Sequence, residues 1–207
     1  MFMNKKKAGN SWNRLNNYIN KNFRLGLKYL GEIRNYVLFS LLLFSIFSII
    51  GFSFPIFFKK EIIKLIAELI RKTEGLGIIG LIRFVILNNI QSSFFAMILG
   101  FFLGIFPLIV IIINGYILGF VANQTVAISG GLVLFRLLPH GIFEIPAVMI
   151  ATALGLKLGM FLFVPKERNW KSFIDRFTDS LRVFILIVVP LLVIAGIIEG
   201  LLIVLLG

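Results

Sequence analysis

From Phe84 to Phe135 the chain carries no charged side chain. A soluble fold has no place for so long a run, because about 20 consecutive apolar residues already cross the hydrocarbon core of a bilayer. Composition points the same way. Of 207 residues, 59% are hydrophobic and 14% charged, against roughly 25% charged in soluble domains, and the mean hydropathy is +1.01. The chain reads as all-α: a polytopic transmembrane helical bundle with added interfacial helices.

Hydrophobic periodicity divides the chain. Residues 1–35 form a basic N-terminal segment and residues 36–207 a transmembrane domain. Eight of the 21 Lys and Arg fall in residues 1–34, beside one acid, Glu32. There Trp12, Leu15, Ile19, Phe23, Leu27 and Leu30 recur at helical spacing, which suits a basic amphipathic helix lying in the membrane interface. No cleaved signal peptide is read, since no short apolar core precedes a small-residue cleavage site. A first span is expected from Tyr36 to Phe58. Lys59 to Glu74 then alternates Ile62, Leu65, Ile66 and Leu69 with Lys60, Lys64, Glu68, Arg71 and Lys72, a helix too charged to cross.

Leu76 to Leu138 is long enough for two crossings, with Asn123-Gln124-Thr125 as a turn after the second. A fourth span is expected from Pro139 to Val164, because proline is tolerated in a first helical turn. The last span runs from Leu181 to Leu206. Trp170, Phe173, Ile174, Phe177 and Leu181 make a third interfacial stripe before it. The count is five spans; a sixth, built as a half-helix from Val126 to Leu138, is the alternative.

The basic N-terminus and the five Lys and Arg of residues 165–182 fall on one side of a five-span chain. Positive-inside counting makes that side cytoplasmic, in a multi-pass protein of the cell membrane. The five basic residues of 59–74 then sit outside, against the rule. The net charge of +12 fits anionic lipid headgroups as partners rather than nucleic acid, because the basic residues flank spans instead of forming a domain. There are no cysteines, which excludes disulfides and thiolate sites. No GxSxG, HExxH or Walker-type loop is present and no cofactor is expected, so an enzyme is the weaker reading.

Gly100 and Gly104, Gly115 and Gly119, Gly155 and Gly159, and Gly196 and Gly200 are small-xxx-small pairs. In lipid such pairs let helix backbones approach closely. Contact within one bundle is the first use expected of them, and a homo-oligomer face the second.

The chain's one histidine, His140, and Glu144 lie four residues apart in an apolar run, hence on one face of a helix. With five spans, Arg136, His140, Glu144 and Glu199 fall in the same leaflet, while Asn88, Asn89 and Asn114 lie nearer mid-membrane. Three uses are open for this cluster. It is a structural network that neutralises the carboxylates, or an ion or polar-substrate pathway, or a metal or active site built on His140, Glu144 and Glu199.

Asn88-Asn89, Asn114-Gly115-Tyr116-Ile117-Leu118-Gly119, Leu138-Pro139-His140-Gly141-Ile142-Phe143-Glu144, the Ala-Leu-Gly-Leu-Lys-Leu-Gly run to Gly159 and Ile198-Glu199-Gly200 resemble the stage II sporulation protein M family of integral membrane proteins. The PHGxxE element is the specific part, and the resemblance covers about Asn88 to Gly200. It implies a polytopic helical membrane protein. The family's best-known member gathers peptidoglycan-degrading enzymes during engulfment in endospore formation, and relatives occur in bacteria and archaea that make no spores. The expected function is a non-enzymatic scaffold organising membrane or envelope partners; the alternative is a transporter, permease or ion pathway using the His/Glu/Arg cluster.

Overall fold

A computed structural model describes residues 2–131, 134–164 and 169–206; for residues 2–12, 15, 134–140, 162 and 203–206 only the backbone is described. Among the described residues there is no strand, and five helices are long and apolar enough to cross a membrane. The bounds of these helices follow from backbone chemistry more than from hydropathy.

Helix α1 (Phe2–Glu32) leads into α2 (Arg34–Ser53), the first crossing. α2 is apolar on nearly every face and leaves Leu38, Phe39, Leu42 and Ile49 exposed, the outward belt that lipid covers. It ends at Ser53, five residues before the Phe58 expected from hydropathy. Pro55 is the reason: it disfavours helix at Phe54, which takes φ −128 and ψ 68. Phe58 sits in the left-handed region at φ 53 and turns the chain into α3 (Lys59–Thr73). The Tyr116 hydroxyl fastens this turn, its one proton shared between the carbonyls of Phe54 (2.7 Å) and Phe57 (2.9 Å).

α4 (Ile78–Ile98) continues as a 3-10 turn, Leu99–Phe101, and positive φ at Leu103 and Gly104 reverses the chain into α5 (Ile105–Ser129). α5 does not turn at Asn123-Gln124-Thr125. Thr125 donates to the Val121 carbonyl within its own helix, and Asn123 reaches across to the Phe52 carbonyl of α2. The polar triplet is thus satisfied without breaking the helix, which stops instead at Gly130 (φ 77). α6 (Leu134–Gly159) starts five residues before Pro139. The half-helix alternative is therefore corrected: Val126–Ser129 closes α5 and Leu134–Leu138 opens α6. α6 also ends at Gly159 rather than Val164, giving way to a 3-10 turn over Met160–Phe163.

α7 (Trp170–Val183) and α8 (Val189–Leu206) are joined through a π turn, Phe184–Val188, with no break. Pro190 explains the turn: it has no N–H to offer the Leu186 carbonyl, and the ladder slips so that the Val189 N–H bonds to Phe184, five residues back. From Trp170 to Leu202 this rod has 33 residues, about 50 Å against a hydrocarbon core of about 30 Å. Its amphipathic first part, α7, thus reaches beyond the apolar layer.

α6 is the centre of the bundle, with residues 147–156 nearly all buried. Its Leu154 and Leu158 join Ile33, Met97, Val183, Val188 and Leu192 in the main core. A second cluster, Phe44, Ile111 and Met149, ties α2, α5 and α6. A third, Ile62 against Tyr116 and Phe120, seats α3 on α5.

Candidate functional site

α6 lies beside α8, and each carries one carboxylate of the expected cluster. Glu144 and Glu199 are both half-buried, and Glu144 is close enough to Glu199 to feel its charge. Two carboxylates at membrane depth require positive charge or hydrogen bonds to offset the lost hydration. Arg136 and His140 precede Glu144 by eight and four residues on α6 and are of the right chemical type; their side chains lie outside the described residues. Among the described residues no three His, Cys, Asp or Glu side chains come together in a metal-binding group.

The three asparagines differ in exposure. Asn114 is exposed and donates to the Val110 carbonyl of its own helix at 2.8 Å. Asn88 is likewise exposed, and only Asn89 is half-buried. A helix can satisfy a single amide through its own i−4 carbonyl, so mid-membrane depth does not oblige an asparagine to face the interior.

The glycines make backbone contacts between helices. A Cβ at Gly115 would lie 2.6 Å from the Phe44 carbonyl oxygen, and one at Gly119 would meet the backbone of Ser48 and Phe52, both on α2. Gly155 faces Ala96 and Pro107, while Gly159 meets Gly100 and Gly104, so two of the pairs meet each other. Gly196 and Gly200 lie against Ile86 and Ile82 of α4. Gly51, against the Tyr116 carbonyl, belongs to the same set; it has no glycine four residues away, so no spacing announces it.

A second polar region lies at the opposite end of α6. Lys157 sits in the last turn of the helix, where a cation suits the dipole. Its ammonium lies over the Tyr36 ring, 5.8 Å from the centroid. Arg176 of α7 donates to the Lys157 carbonyl. Beside it Phe173 touches Phe101, Phe161, Trp170 and Phe177, an aromatic cluster that seats α7 on the turns after α4 and α6. α7 in turn holds α1: Arg182 donates to Asn22 at 2.9 Å and pairs with Asp179, and Tyr29 meets Ser180.

A family model described as Stage II sporulation protein M matches residues 37–202. The chain belongs to that family. The match begins in α2, well before the Asn88 at which the motif resemblance starts, and so takes in all five crossing helices of this Stage II sporulation protein M family member. An uncharacterized protein of Methanocaldococcus jannaschii is 35% identical over 120 residues, which are 56% of this chain and 54% of that protein. The chain spans about half the length of the curated relative it matches. No solved structure matches.

Proposed function

We propose that this Stage II sporulation protein M family member is a non-enzymatic scaffold that organises membrane or envelope partners. The observation that carries the reading is the joint between α1 and α7. Asn22, Gly26 and Tyr29 of α1 face α7, which leaves Ile19, Phe23 and Leu27 exposed along an adjacent stripe. Lys21, Arg24 and Lys28 cover the remaining side. Such a helix rests in the interface, with its basic face toward headgroups and its apolar stripe toward lipid or a partner's apolar surface. The helices behind it touch backbone to backbone, so the stripe is held on a rigid base. A platform for other proteins needs that combination, and it accords with what the family resemblance implies. Charge counting puts this end of the bundle on the cytoplasmic side.

A photo-crosslinking residue at Phe23, activated in native membranes, should yield discrete protein adducts. The same residue at Ile49, on the lipid-facing belt of α2, is the control and should yield lipid adducts. Lipid adducts alone at both positions would overturn the scaffold reading.

The second reading, an ion or polar-substrate pathway, draws on the approach of Glu144 to Glu199 inside the bundle. In proteoliposomes a pathway gives pH-dependent flux that Glu144→Gln alters while the protein stays folded. A scaffold gives background flux from both proteins, with the substitution felt in stability.

A further inference from the structure

A groove of about 350 Å³ opens on the side of the bundle between the start of α2, the start of α5 and the end of α6. Tyr36, Phe39, Leu103, Leu108, Leu156 and Met160 line it, so its walls are apolar. It is a slot for one flexible chain, too small for a helix, which is about 10 Å across. Phe39 and Leu103 are exposed, so the groove joins the lipid-facing belt.

Basic residues adjoin one end of it. Asn35 lines the groove and follows the exposed Arg34 at the start of α2. The Lys157 ammonium lies over Tyr36, a groove wall. Arg176 stands near enough for the two cations to repel, and Glu32 is an acid whose charge also reaches Lys157. An apolar slot with an ammonium over one of its walls, and a second cation beside that ammonium, is complementary to one kind of molecule. That molecule has a hydrocarbon tail and an anionic head.

We propose that this groove is a binding site for an anionic phospholipid, with one acyl chain between α2, α5 and α6 and the phosphate against Lys157. The ammonium of Lys157 snorkels toward the headgroup level while its methylene stem stays beside the apolar walls. The site is independent of the scaffold reading and of the Glu144 region, which lies toward the other end of α6.

Native mass spectrometry of the full chain, released from detergent with equal amounts of phosphatidylglycerol and phosphatidylcholine, tests it. The wild type should retain the anionic lipid about fivefold over the zwitterionic one, as one well-placed basic side chain predicts. Lys157→Met should bring that ratio close to one, and Lys157→Arg should restore it. Leu108→Trp, which fills the slot, should reduce tightly held lipid of both kinds; melting curves establish that each variant is folded. Equal retention by the wild type, or an unchanged preference in Lys157→Met, would overturn the proposal and move the charge recognition to the basic faces of α1 and α7. Displacement of the lipid by inorganic phosphate alone would also overturn it, since the tail would then contribute nothing.

Discussion

Single residues in this protein act mostly on backbone atoms of a neighbouring helix. Tyr116 is the clearest case, its hydroxyl serving two carbonyls of the α2–α3 turn. Tyr116→Phe should lower stability by about 1–3 kcal/mol, because two acceptors lose the one proton they share; thermal melting in detergent measures it. Glycines divide by surroundings. Gly119→Ala would drive a methyl into the Ser48 backbone and should cost roughly 2–3 kcal/mol. Gly31→Ala, with nothing within 4 Å, should instead stabilise α1 by about 0.5–1 kcal/mol, because alanine loses less chain entropy on folding. Equal melting points for the two variants would refute the distinction. Burial raises the Tyr29 hydroxyl above its ordinary pKa of 10.0, against the opposing pull of the Ser180 hydroxyl and the Arg176 charge. The folded state thus favours the protonated form. Its stabilisation is complete below pH 10 and is lost as pH rises through the higher folded value. In Tyr29→Phe that alkaline loss should shrink. The paired glycines, His140 and the two glutamates could be singled out from spacing and from their cost in lipid. Gly51 and Tyr116 could not, because their meaning lies in a neighbour 65 residues away along the chain, Gly51 pressing on the carbonyl of Tyr116.

Among the elements, α3 was the most legible, because a charged face repeating against Ile62 and Ile66 has one helical reading whatever the surroundings. Spin labels along it should be immobilised at Ile62 and Ile66, which meet Tyr116 and Phe120, and mobile at Ile63 and Ile70, which are exposed. Uniform mobility would show that α3 is not seated on α5. The end of α5 was not legible. In water Asn-Gln-Thr favours a turn, since these side chains compete for backbone hydrogen bonds. In this bundle Val121 and Phe52 supply the acceptors, and the helix passes through. The joined α7–α8 rod was missed for a related reason. A change from amphipathic to apolar composition looks like a boundary, whereas the backbone absorbs Pro190 in a π turn and continues.

For the whole molecule, the number of crossings was readable from hydropathy, and the contact of α1 with α7 puts the N-terminal helix and the start of the fifth span at one end of the bundle. In this cysteine-free chain, single cysteines at Asn10 and Lys171 should therefore label from the same side of sealed vesicles. Labelling from opposite sides would refute the five-span order. What hydropathy could not supply is the relative height of the helices. That is set along α6, where Ala147, Ala151, Gly155 and Gly159 follow at four-residue steps, all buried. Alanine stands at one end of this row, and glycine where Ala96, Pro107, Gly100 and Gly104 press closest. Moving α6 along its axis by one turn would bring the methyl of Ala151 to the place where Gly155 now meets the Ala96 carbonyl. Atomic size thus works as a vernier: α6 has one seat among its neighbours, and a slide of one turn along its axis is blocked.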